Sequence, residues 1–239
     1  RTLAYTEHAN LVIAARRRER LEALKAEIES RSPSRVSIVC VDLGTPEGPE
    51  TLFREACAGG EVYALVNCAG LTYWGKSLEA PVEKTAQILQ VDLVAEVKTC
   101  LLFLGHFLSA GRGGILTITS VMAFTPGPYQ NAYAAAKHGI QTFMEGLAIE
   151  YRGKGIVFST FAPGGIATEL LASAGIDGKF SADNPVNADP RIVAADAVRA
   201  FKRGRLVTIP GALYRTATTL ARFAPRRLVA WFMERLYRP

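Results

Sequence analysis

The sequence predicts a doubly wound α/β domain: a parallel sheet between two layers of helices, Rossmann-like in outline. Three observations carry that expectation. Short apolar runs alternate with longer helical patterns along most of the chain, as strand–helix–strand crossovers require. The runs are continuously apolar, which is how strands read when both faces of a sheet are covered. Hydrophobic residues make up 49% and charged residues 21% of the 239 positions, enough to bury such a core and to exclude wholesale disorder.

The elements follow in order. Asn10–Ala15 reads as a buried strand, and Arg17–Ser30 as a charged helix with Leu21, Leu24 and Ile28 on one face. Arg35–Val41 is a second strand, Pro46–Ala58 a helix, and Val62–Asn67 a third strand. Pro81–Ser109 reads as one long, mostly apolar helix with a suspected interruption. Gly114–Thr119 is a strand, Asn131–Arg152 a helix, Ile156–Ala162 a strand, Ile192–Arg203 a helix and Leu206–Ile209 a sixth strand. Between them, Gly164–Pro190 is rich in Gly, Ser, Asp, Asn and Pro and reads as a long functional loop or lid. Residues 1–212 are expected to form the nucleotide-binding and catalytic domain, and residues 213–239 a helical extension.

Charge is distributed unevenly. The net charge is +6, yet Leu213–Pro239 alone carries six arginines against one glutamate, so the body is nearly neutral. No basic, aromatic-interleaved surface in the body suggests nucleic acid. The tail interleaves Leu228, Val229, Trp231, Phe232, Leu236 and Tyr237 with arginines, and Pro225 divides it into two short helices. It fits an element that lies on an anionic membrane or covers an apolar substrate, and equally a packing or dimer helix. Four scattered cysteines without a C-x-x-C pair, and three distant histidines without H-E-x-x-H, point to a reducing, cytoplasmic setting and to no metal site. No apolar run is long enough for a membrane-spanning helix.

In doubly wound sheets ligands gather at the carboxyl ends of the strands. There stand Ser120, after the fourth strand, and the helical pair Tyr133 and Lys137 in Y-A-A-A-K. Residues four apart share a helix face. An ammonium beside a phenol lowers the phenol's pKa from its ordinary value near 10, and a serine hydroxyl can hold a carbonyl oxygen beside it. The set can donate a proton to a carbonyl that is being reduced.

Ser120, Tyr133 and Lys137 in this spacing resemble the Ser, Tyr and Lys of the short-chain dehydrogenase/reductase family. N-C-A-G at Asn67–Gly70 resembles the family's N-N-A-G, P-G-G-I-A-T at Pro163–Thr168 its P-G-x-x-x-T, and V-D-L at Val41–Leu43 its adenine-contacting acidic site. The resemblance implies a nicotinamide cofactor held by Asp42, Leu43, Asn67, Ala69, Gly70, Tyr133, Lys137, Pro163, Gly164, Ile166 and Thr168. It also implies hydride exchange with a carbonyl or secondary alcohol, and a homo-oligomer. The substrate is expected to be apolar, from Leu170, Leu171 and Ile176 in the loop and from the aromatic tail. Arg16 and Arg17 stand after the first strand, where an acidic residue would select NAD; a guanidinium there suits the 2′-phosphate of NADP.

Two departures qualify the resemblance. The family's phosphate turn, T-G-x-x-x-G-x-G, is not found. Arg1–Ala4 looks like the helix that follows it, so a first, central strand and the glycine turn, roughly 15–20 residues, are expected before Arg1. Asp92, in Q-V-D-L, stands where the family has an asparagine that supports proton relay. An ionised aspartate accepts but cannot donate hydrogen bonds, and its charge would raise the pKa of both Lys137 and Tyr133. Either the relay is altered or Asp92 serves through its backbone. The competing reading from these departures is a catalytically impaired NADP-binding sensor or scaffold.

Overall fold

The computed structural model describes residues 1–166, 170, 174 and 188–238. Six parallel strands carry the architecture: β1 (Leu11–Ala15), β2 (Val36–Cys40), β3 (Ala64–Asn67), β4 (Gly113–Ile118), β5 (Ile156–Phe161) and β6 (Val207–Thr208). They form two hydrogen-bonded blocks, β1–β2 and β3–β4–β5–β6, with β1 and β3 each at an end of its block. The expected doubly wound α/β class is the one observed.

Side-chain alternation along β4 and β5 explains why their apolar residues fall on both faces. Ile115 and Phe158 point to a core shared with Phe103, Leu104 and Phe107 of α5 (Glu96–Ala110) and Ile140 and Met144 of α6 (Asn131–Glu150). Leu116 and Phe161 point the other way, to Val193 and Ala197 of α7 (Pro190–Lys202). Successive residues of a strand face opposite sides, so a strand covered by helices on both faces buries side chains on each; Ser159 and Thr160 are buried with their hydroxyls donating to the Arg205 and Leu206 carbonyls at 2.8 and 3.0 Å. A smaller cluster of Ala4, Ile28 and Val36 joins α1 (Thr2–Glu7), α2 (Arg18–Arg31) and β2. Helix α3 (Gly48–Ala58) adds Ala56 to the α5 face of the larger core.

The long helix expected over Pro81–Ser109 is interrupted. It consists of α4 (Val82–Leu89), a π-helical turn over Gln90–Ala95, and then α5. A π-turn adds backbone to the helix without a proline or glycine to mark it, and such turns concentrate at functional sites. Gly111 ends α5 at φ 66, the left-handed cap conformation that glycine adopts without strain. Helix α7 begins at Pro190, two residues before the expected start at Ile192. The Asp189 side chain accepts the Arg191 N–H at 2.7 Å, and Pro190 takes the first turn, where no N–H is needed. Thr168, Leu171 and Ile176 lie outside the described residues.

The tail forms α8 (Ala212–Phe223) and α9 (Arg226–Tyr237), divided at Pro225 as expected. Both helices touch the body. Thr218 and Met233 are buried, and the Trp74 indole N–H donates to the Tyr237 carbonyl at 2.8 Å.

Candidate active site

Three of the expected residues meet where the chain leaves β4. Ser120 caps a short 3-10 turn (Val121–Ala123), its hydroxyl accepting the Met122 N–H at 3.2 Å. Tyr133 lies on the first turn of α6, with the Ser120 hydroxyl near enough to favour its phenolate. Lys137, one helical turn on, is 3% exposed, with its ammonium 5.9 Å from the Tyr133 ring centre. Tyr133 also lines a cavity of about 200 Å³ with Tyr73, Ala80, Val82, Ile88 and Tyr129.

The electrostatics depart from the simple expectation that Lys137 makes the phenol acidic. Lys137 does favour the phenolate, but burial outweighs it, and Asp92 and Glu96 add to the burial effect, so the Tyr133 pKa lies above its ordinary value. The ammonium is engaged elsewhere: Lys137 Nζ is 3.0 Å from Glu96 Oε1 and 3.5 Å from Asp92 Oδ2. Asp92 is fully buried and accepts the Leu71 N–H at 2.7 Å. Burial pushes its carboxyl up to about 6 and that of Glu96 up to about 7, with Lys137 opposing both shifts. For Lys137 burial acts downward, but the two carboxylates prevail and raise its pKa.

The groups expected at the nucleotide side are arranged unevenly. Arg16 and Arg17 are exposed just past β1, and Arg16 Nη1 is 3.8 Å from Asp42 Oδ2. The other Asp42 oxygen accepts the Gly44 N–H at 2.8 Å, so this carboxylate also caps the turn that contains Leu43. Ala69 is exposed and Gly70 half-buried after β3. The Asn67 side chain turns inward: its amide donates to Cys100 Sγ at 3.2 Å and its oxygen accepts from Thr99 at 3.2 Å. Its job is to tie β3 to α5, because an amide at this buried strand end needs partners. The Ile166 side chain likewise packs on the core with Leu116, Phe161 and Val193. The exposed guanidiniums after β1, together with the open backbone after β3, form a donor set that fits an anionic dinucleotide.

Two site residues, Glu96 and Tyr214, have no counterpart in the sequence reading, and Tyr237 enters it only as one of the tail's apolar residues. The ring of Tyr214, on α8, lies 2.2 Å from where a Cβ on Gly164 would sit, which is why Pro163 is followed by glycine. The Gly165 N–H points to its hydroxyl at 3.4 Å. Burial raises the Tyr237 phenol, with Tyr214 and Tyr133 as further contributors, so α9 delivers a third phenol to the neighbourhood of Tyr133.

Comparison with known proteins agrees with this geometry. A family model described as short chain dehydrogenase matches residues 2–177. The mouse 17-beta-hydroxysteroid dehydrogenase type 3 is 31% identical over 163 residues, 67% of this chain and 53% of that protein. The Xenopus laevis dehydrogenase/reductase SDR family member 7B is 28% identical over 236 residues, 92% of this chain and 72% of that protein. The chain thus spans about half the length of the first of these relatives. Among solved structures, a 7beta-hydroxysteroid dehydrogenase superposes with a TM-score of 0.83 at 23% identity, over 94% of this chain and 86% of that one. A short-chain dehydrogenase from Sphingobium yanoikuyae in complex with NADPH gives 0.81 at 27% identity, over 92% and 86%. The chain belongs to the short-chain dehydrogenase family.

Proposed function

We propose that the protein is an NADP(H)-dependent oxidoreductase that interconverts a ketone or aldehyde and an alcohol. The observation that carries the reading is the convergence of Ser120, Tyr133 and the Lys137 ammonium at the carboxyl end of β4, beside a cavity. When bound, the nicotinamide supplies or accepts the hydride. Ser120 holds the substrate oxygen, Tyr133 gives it a proton during reduction, and Lys137 stabilises the phenolate left behind. A phenol whose pKa lies above the ordinary value stays protonated through neutral pH. That suits Tyr133 to the role of acid, and hence to carbonyl reduction.

The preference for NADP rests on Arg16 and Arg17, with Asp42 steadying Arg16 by a half-exposed ion pair. Forked guanidinium donors match a phosphate better than they match a ribose hydroxyl. Arg16→Ala is expected to weaken NADPH binding roughly tenfold or more, about one charge-assisted contact, and to leave NADH nearly unaffected. Fluorescence titration with both nucleotides checks this, and equal losses would contradict it. An apolar substrate is favoured by a cavity lined with Tyr73, Val82, Ile88 and Tyr129 and by the phenols of Tyr214 and Tyr237. The mouse relative's name, a hydroxysteroid dehydrogenase, fits the same class.

Residues 213–239 are proposed as an extension that both walls the site and meets an anionic membrane surface. Phe223 is 84% exposed and Leu213 71%, beside arginines 215 and 222, and the Arg235 guanidinium stacks over Trp231 at 4.3 Å. No helix among the described residues is long and apolar enough to cross a membrane. Phe223→Ser together with Arg226→Glu and Arg227→Glu should reduce co-sedimentation with phosphatidylserine vesicles severalfold. Unchanged binding would argue for a purely structural tail.

A further inference from the structure

The Lys137 ammonium is flanked by two buried carboxylates, Asp92 and Glu96, on one stretch of helix. Glu96 is 3% exposed, and one oxygen of each acid, Asp92 Oδ2 and Glu96 Oε2, is buried without a hydrogen bond. Asp92 lies inside the π-helical turn and Glu96 is the first residue after it, so the turn sets how the two acids converge on one cation. The other titratable groups facing this cluster are Lys84 from α4, Cys68 after β3, Cys100 from α5 and Tyr133 from α6. Burial pushes the Cys100 thiol up to about 12, so it adds no charge. Two carboxylates against one ammonium leave an excess negative charge away from water, a state that a proton relieves.

We propose that Glu96 is a positioning residue for the Tyr133 proton step: it competes with the phenol oxygen for the Lys137 ammonium, so the charge held by the Asp92–Glu96 pair sets how strongly Lys137 acts on Tyr133. This rests on the reading of Tyr133 as the proton donor. With both acids ionised, the ammonium is overcompensated and the phenol keeps its proton. When the pair takes up a proton from solvent, the ammonium's field reaches the phenol and favours its ionisation. Glu96 does this without touching substrate.

The test titrates Tyr133 directly. Tyrosinate absorbance is recorded by rapid pH jump for the full chain and for Tyr133→Phe, and the difference isolates one phenol. The same pair of measurements is made in the Glu96→Gln and Glu96→Asp backgrounds, with near-ultraviolet circular dichroism as the check on folding. Glu96→Gln is expected to move the Tyr133 midpoint down by about one pH unit, tenfold in ionisation constant. Glu96→Asp, which keeps the charge, is expected to hold it near the parent value. An unmoved midpoint in Glu96→Gln overturns the proposal, and so does failure of both variants to fold, which would make Glu96 part of the scaffold. The catalytic reading fails separately: Tyr133→Phe turning over ketones at the parent rate would sink that reading and leave the titration interpretable.

Discussion

Tyr133→Phe is expected to cut NADPH-dependent ketone reduction by roughly 100- to 10,000-fold, the range that a positioned general acid contributes. The change removes one oxygen and leaves the ring in place. The aromatic wall of the cavity therefore survives, and so does the ring 5.9 Å from the Lys137 ammonium. What is lost is the hydroxyl proposed as the proton donor. Because substrate binding draws on the cavity and not on that proton, the effect should fall on kcat more than on KM. Stopped-time assays with a panel of aliphatic, aromatic and steroid ketones, with fold confirmed by melting temperature, supply the check. Parent-like rates in the variant would favour a nucleotide-binding sensor built on the same fold.

The second large effect concerns stability. Lys137→Met leaves Asp92 and Glu96 buried with no cation beside them, and removing one member of a buried ion pair costs about 3–5 kcal/mol. The loss should depend on pH in a definite direction. Asp92 at about 6 and Glu96 at about 7 stand above their ordinary values of 3.8 and 4.5, so the folded state binds more protons than the unfolded chain between those limits. The stability these groups contribute is complete below the ordinary values and declines as pH rises through the raised ones. In the parent, Lys137 offsets part of that decline. Without it the raised values climb further, and the decline becomes steeper and extends to more alkaline pH. Urea unfolding of the parent and Lys137→Met at about pH 5 and about pH 8 should therefore show a small difference at the acidic end and the full loss at the alkaline end. Equal losses at both would mean that the carboxylates are not the cause.

Much of this was readable in the chain because local rules and tertiary environment agree. The runs in β4 and β5 carry apolar residues on both faces because both faces are covered, and the pairing of Tyr133 with Lys137 needs only the period of a helix. What escaped depends on geometry with no local marker. An interruption of the long helix is expected from the sequence, but Gln90–Ala95 contains neither proline nor glycine, so its place and its π-helical form have no local marker. Glu96 stands two residues before Lys98 and reads as an ordinary charged helix face; only packing against α6 shows it buried. Asn67 is expected among the cofactor-holding residues, and its bonds to Cys100 and Thr99 of α5 are contacts that only the packed fold shows. The tail reads as a membrane element or a cover for an apolar substrate, with Tyr237 among its apolar residues, but the contact of Tyr214 with Gly164 and Gly165 needs the folded geometry.

The seat that Gly164 provides for the Tyr214 ring ties two distant positions into one heritable unit. A methyl group at 164 would collide with that ring, so any related chain with a bulkier residue there must carry a smaller one at 214. The reshaped α8 would then present different atoms to whatever the pocket admits. A change in the turn after β5, whose Pro163 carbonyl accepts the Val121 N–H at 3.0 Å, can therefore alter how α8 packs beside the site without replacing the residues that handle the proton.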